Sequence, residues 1–286
     1  MRHNKSFKKN DINFESDAKR EFEFNEHDLI ELSLLNRVLI SVYLFIIADG
    51  ILYSSTINSM EYIVSRNNNK RIIATQEAIQ SSYLSTISRL ILVNVDISRY
   101  NHLYKKFANE RKEYSLKPEL NITIGDGLQV LTYFFITIGF VGIYKVNSIK
   151  NISINVTKEL SLMISQLYAV NIRFYADYLA YITIIESIQL IYSRYEENRK
   201  IKINPDIPAI QSVICYFLSR IILANIAFTR YEELYKKYGK TQYNYLLQPD
   251  ITISVGNVFG VISSIYLLIG FIQRYERNIN GPVFGI

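Results

Sequence analysis

Residues 260–272 read Gly-Val-Ile-Ser-Ser-Ile-Tyr-Leu-Leu-Ile-Gly-Phe-Ile, a stretch with no charge and no polar face. A helix that is apolar all round is buried in protein or lies in lipid. Three further windows, Leu35–Tyr53, Leu128–Val146 and Ala209–Ala227, are nearly as apolar. Together with Val255–Gln273 they come close to the hydropathy expected of spanning helices. A soluble chain of 286 residues has room for one such helix in its core and rarely buries four. Outward from these windows, six long apolar segments are separated by polar stretches: 31–64, 78–100, 122–146, 159–193, 207–231 and 251–274. The abundant Ile and Val favour strands in a soluble protein. Runs of about twenty residues without turn signals are nevertheless too long for ordinary strands. The expected fold is therefore all-α, a helical membrane bundle of about six apolar helices. The segments 78–100 and 159–193 are the most polar of the six and read as amphipathic.

The same segments carry an internal match. Residues 88–107 and 219–238 are identical at eleven of twenty positions without a gap, sharing Ser-Arg, Arg-Tyr and Leu-Tyr-Lys-Lys in register. The spacing of 131 also carries Pro118 to Pro249, Gly125 to Gly256 and Ile138-Gly139-Phe140 to Ile269-Gly270-Phe271. Upstream, a spacing of 128 carries Ala48-Asp49 to Ala176-Asp177, Tyr53 to Tyr181 and Ser65-Arg66 to Ser193-Arg194. Compositional bias scatters Ile and Tyr matches; it does not align charged pairs. The expected organisation is a charged N-terminal tail (1–30), one three-helix repeat (31–150), a second (157–276) and a short C-terminal tail (277–286). A short amphipathic helix at Phe22–Phe24 closes the first tail, and Asn280-Gly281-Pro282 ends the last helix. With three spans each, the second repeat enters the membrane from the opposite side, an inverted-topology arrangement found among transporters.

Composition excludes several classes. The single cysteine rules out a disulfide framework and a Cys-rich metal site, and no cofactor motif is present. The net charge of +6 is spread along the chain instead of forming one stripe, which argues against nucleic acid and suits lipid headgroups. Residues 1–28 lack an apolar run, so they do not form a secretory signal. Six spans place 18 Lys and Arg on the side of both termini and 10 on the other, predicting cytoplasmic termini of a multi-pass cell-membrane protein.

Charges inside apolar helices are costly and mark functional or register-fixing groups. The candidate set is Asp49, Arg89, Asn94, Arg173, Asp177, Glu186, Arg220 and Asn225. Asp49 and Asp177 match across the repeats, as do Arg89 with Arg220 and Asn94 with Asn225; Arg173 and Glu186 have no counterpart. The expected pairing is Asp49 with Arg89 and Asp177 with Arg220, one pair per repeat. The helix-end elements Tyr104, Lys105, Lys106 and Tyr235, Lys236, Lys237 suit a headgroup interface. Gly125-Asp126-Gly127 resembles a phosphate loop, but its counterpart Gly256-Asn257-Val258 lacks the acid, favouring a helix start or close packing. His3, His27 and His102 are expected in solvent, and Cys215 as a small buried hydrophobe. The function expected is a non-enzymatic small-solute or ion transporter. The alternatives are a membrane scaffold acting through a protein partner or a homo-oligomer, and a soluble, cytoplasmic, self-associating helical protein.

Overall fold

The computed structural model describes residues 24–110, 115–149, 156–195, 203–241 and 244–279. Among the described residues there are six α-helices and no strand: α1 (Glu26–Ser65), α2 (Asn68–Glu110), α3 (Lys117–Ile149), α4 (Val156–Ser193), α5 (Asp206–Tyr238) and α6 (Gln248–Ile279). Four of them, α1, α3, α5 and α6, are long and apolar enough to cross a membrane. The expected count of six such helices is thus met by four; α2 and α4 carry too many polar groups. Most of the expected tail, including Phe22, and the break at Asn280-Gly281-Pro282 lie outside the described residues.

Local chemistry sets the boundaries. Asn25 caps α1, its Oδ1 accepting from the Asp28 backbone N–H at 2.8 Å, with Glu26 and Asp28 in the positively polarised first turn. α1 therefore begins inside the stretch expected as tail. At the other end Arg277 grips Glu119, holding α6 helical to Ile279, beyond the expected boundary at 277. Pro118, Pro208 and Pro249 all lie in first turns, where a missing N–H removes no helical bond. α1 stops at Arg66, which turns left-handed with φ 57° and donates its N–H to the Tyr62 carbonyl at 2.8 Å.

The helices close into a ring in the order α1, α2, α3, α6, α5, α4, with α4 returning to α1. Neighbours run antiparallel. Ser41 meets Ser88 while Ser55 meets Ala74, and Asp28 meets Arg194 while Thr56 meets Gln166. One end of the ring therefore gathers the starts of α1, α3 and α5 with the ends of α2, α4 and α6. We call it the tail end and the opposite one the far end.

Contacts recur at the sequence spacings. Ser88 Oγ donates to the Ser41 carbonyl at 2.9 Å, and Ser219 Oγ donates to the Ala169 carbonyl at 3.0 Å. Arg99 pairs with Glu31, and Arg230 with Glu159. Between α3 and α6 the glycines are reciprocal. A Cβ on Gly125 would meet Leu267 at 2.7 Å and one on Gly256 would meet Ile136 at 3.0 Å. A Cβ on Gly139 would stand 3.0 Å from the Pro249 carbonyl, and one on Gly270 would stand 3.0 Å from that of Pro118. Small residues thus let these two backbones approach closely.

Polarity runs inside out. Asp49, Arg173, Asp177, Asp206, Glu31 and Arg220 are all at most 2% exposed. The outer surface instead carries large apolar side chains on every helix, among them Ile47, Leu90, Phe134, Tyr168, Leu218 and Ile262.

The close α3–α6 approach predicts a graded response to added methyl groups. Gly139→Val and Gly270→Val should each lower stability by about 1–3 kcal/mol. Gly50→Ala, with nothing within 4 Å of its Cβ position, should hold or raise it. Thermal unfolding of the detergent-purified protein measures the difference.

Candidate functional site

Charged residues from five helices meet inside the ring. α2 delivers Arg89, whose Nη1 donates to Asp126 Oδ1 of α3 at 2.7 Å. α4 delivers Arg173, which forms an ion pair with Asp49 of α1 and donates to the Tyr133 hydroxyl at 3.0 Å. Asp177 accepts from the Tyr216 hydroxyl of α5. Arg220 donates from Nη2 to Gln129 Oε1 at 3.2 Å. Aromatic faces fill the gaps: the Arg89 guanidinium lies 4.4 Å from the Phe45 ring centre, and that of Arg220 lies 4.5 Å from Tyr133. These acids and arginines thus share a region that excludes water, where an isolated charge is costly.

The pairing expected from the sequence is corrected on both counts. Asp49 pairs with Arg173 and Arg89 with Asp126; Asp177 and Arg220 take neutral partners. Ring closure puts α4 beside α1, so Asp49 meets a partner from the other half of the chain, whereas Arg89 turns to α3, its other chain neighbour. Asn94 and Asn225 are exposed and Glu186 is half-buried, so these three stand apart from the central set. The Asn94 side-chain Oδ1 accepts a 3.4 Å contact from Arg37. Tyr104 and Lys105 lie exposed at the tail end, with Lys106 half-buried beside them; Tyr235, Lys236 and Lys237 lie exposed at the far end. Asp126 escaped notice because its glycine neighbours suggested a loop; it lies mid-helix. Its only sequence signal was an acid within an apolar helix, the signal that singled out Asp49. Tyr133, Tyr216 and Gln129 were hidden by a chain rich in Tyr and apolar stretches.

The two histidines expected in solvent instead touch. His27 Nδ1 and His102 Nε2 are 2.7 Å apart at the tail end. Cys215 is half-buried.

The two ends of the ring differ. Four interhelix ion pairs seal the tail end. Asp28 binds Arg194 at 2.7 Å, and Glu31 binds Arg99. Glu119 takes both arms of Arg277 at 2.6 and 2.8 Å, and Asp206 binds Arg274 at 2.7 Å. At the far end Glu159–Arg230 (2.7 Å), Lys158–Glu233 and the more exposed Lys70–Glu61 (2.7 Å) join neighbouring helices. There the positions 131 residues before Asp206, Arg274 and Arg277 are Thr75, Ile143 and Val146, which cannot form ion pairs. These three residues line a cavity of about 690 Å³ that opens beside Arg71, Arg230, Lys236 and Lys237. A smaller cavity of about 60 Å³ continues inward to Tyr133, Arg173, Arg220 and Asn257. Among the described residues no cluster of His, Cys, Asp or Glu is arranged to hold a metal ion.

No protein-family model, curated protein or solved structure matches the chain.

Two predictions follow from these contacts. Asp49→Asn or Arg173→Gln alone should cost about 3–5 kcal/mol, each leaving a buried partner charge unbalanced. The double change should cost less than the sum, whereas the Asp49→Asn and Arg89→Gln pair should be closer to additive. Denaturation in a double-mutant cycle measures both couplings. At the tail end, beyond the apolar part of α2, burial and then the neighbouring His27 hold the His102 imidazole below its ordinary value of 6.5. The folded state therefore prefers neutral His102, so its contribution is present above 6.5 and is lost as pH falls through the lower folded value. Melting temperature should drop as pH falls below about 6.5, and His102→Gln should flatten that drop.

Proposed function

We propose that this chain is an integral membrane protein in which two inverted three-helix units surround a solute or ion path through the central charged set. The observation that carries it is the inverted polarity: charges sealed within the ring and apolar side chains around its whole circumference. In water that surface would be an aggregation hazard, and in lipid it is the expected exterior. Contacts that recur at spacings of 131 and 128 support the duplication, and the antiparallel α3–α6 seam supports its inverted sense. The Leu-Tyr-Lys-Lys elements close α2 and α5 at opposite ends, as two headgroup interfaces require.

In this assignment α2 and α4 cross as well, their polar groups turned into the ring. The tail end carries the larger count of basic residues and faces the cytoplasm, so the open cavity faces away from it. Transport is supported by the cavity that leads from the far end toward Arg173 and Arg220. A scaffold is the second reading, favoured by the many charges that already have partners.

Membrane integration is tested by alkaline carbonate, which should leave the chain in the pellet; release would overturn the assignment. In a Cys215→Ala background, cysteines at Asn25 and Asn278 should resist an impermeant thiol reagent in intact cells. One at Lys240 should react. The opposite pattern would reverse the orientation.

A further inference from the structure

Arg89 and Arg220 are 131 residues apart on α2 and α5, and each leaves its Nε without a hydrogen-bond partner among the described residues, yet only Arg89 has an acid in an ion pair. Arg89 has Asp126 at 2.7 Å. The residue 131 after Asp126 is Asn257, a neutral amide. Arg220 spends Nη2 on Gln129, while its Nε and Nη1 have no hydrogen-bond partner among the described residues. Asn257 donates Nδ2 to the Ile253 carbonyl at 3.1 Å and leaves Oδ1 equally unpartnered. These are not surface groups that water satisfies: Arg220 is 1% exposed and Asn257 3%. Buried donors are rarely left unpaired without a reason. Gly260 contributes by its missing side chain, since a Cβ there would stand 2.9 Å from Arg220 Cδ and 3.1 Å from Nε.

Both residues line the inner cavity of about 60 Å³, where Arg173, Arg220 and Arg230 face a single acid, Asp250. That volume holds a few water molecules or one small polar group. It adjoins the outer cavity, sharing Ala78, Phe140, Gln166, Arg230 and Asp250 with it. The outer walls are largely apolar, with Ile63, Phe140, Ile143, Met163, Leu234 and Leu246.

We propose that this cavity binds an organic carboxylate, its head group on Arg220 and its apolar body in the outer cavity. The carboxylate takes the place of the acid that position 257 lacks, as Asp126 does for Arg89. Charge-assisted contacts of this kind are about twice as strong as neutral ones and gain from exclusion of water. Asn257 Oδ1 accepts from a hydroxyl or amine on the ligand's polar end. This site deepens the solute-path assignment of the preceding section and depends on it for its access route. A dissolved organic acid and a fatty acid drawn from the bilayer share this chemistry.

The test is direct binding to the full-length protein in detergent and in lipid nanodiscs, with octanoate, oleate, octanol and octylammonium as probes. Octanoate or oleate should bind, and octanol and octylammonium at least tenfold more weakly. Binding of octanoate in detergent identifies a soluble acid as the source, and binding of oleate alone, in nanodiscs, identifies the bilayer. Arg220→Gln risks misfolding, so the decisive variant is Asn257→Asp, which supplies the missing acid internally. It should weaken carboxylate binding at least tenfold while its ligand-free melting temperature stays at or above that of the natural chain. Unchanged binding in Asn257→Asp, or octanol binding as tightly as octanoate, would overturn the proposal. Absence of carboxylate binding in a chain that resists carbonate extraction would sink this site and leave the membrane assignment standing. Release by carbonate would do the reverse.

Discussion

The structure depends on neutralising six charges that have almost no water: Asp49, Asp126, Asp177, Arg89, Arg173 and Arg220. Each would be prohibitive alone in an apolar interior, and each needs a partner on another helix. That requirement fixes the rotation of five helices at once. α1 must turn Asp49 inward toward α4, α2 must turn Arg89 toward α3, and α5 must bring Tyr216 to Asp177 and Arg220 to Gln129. Once those rotations are set, the remaining faces point outward, and they are apolar. Tyr133 serves two of these demands, taking a hydrogen bond from Arg173 and lying under the Arg220 guanidinium.

The second constraint is the α3–α6 seam. Glycines at 125, 139, 256 and 270 remove the bulk that would hold these helices apart. The seam closes the ring opposite the α1–α4 contact and makes it a hollow arrangement with a polar middle. Sealing at one end then follows from four acid–arginine pairs. Opening at the other follows from Thr75, Ile143 and Val146, which stand where those pairs would need charge. The two ends thus differ because residues that pair at one of them correspond to uncharged residues at the matching places of the other.

Helix number, helix type and the antiparallel order of chain neighbours could be read from the sequence. Apolar run length excluded strands. The match at a spacing of 131 was equally visible, because charged residues in register survive compositional noise. Asp49, Arg89, Arg173, Asp177 and Arg220 were recognisable as buried for the same reason, since a charge in an apolar helix has few other places to go. Asn94, Asn225 and Glu186 carried the same signal and lie elsewhere, since a helix has an outer face that one-dimensional hydropathy does not resolve.

Partner identity was decided only by the tertiary structure. Sequence proximity favours pairs on consecutive helices within a repeat, such as Asp49 with Arg89. The ring instead places α4 against α1, and the partner of Asp49 comes from 124 residues away at Arg173. The same holds for the cavity, which arises where chain segments far apart fail to fill space, and for the unpaired Arg220. Its lack of a carboxylate was written in the sequence as Asn257. It became meaningful only when folding brought both to the same cavity wall, because an unpaired donor carries a cost only where water is excluded.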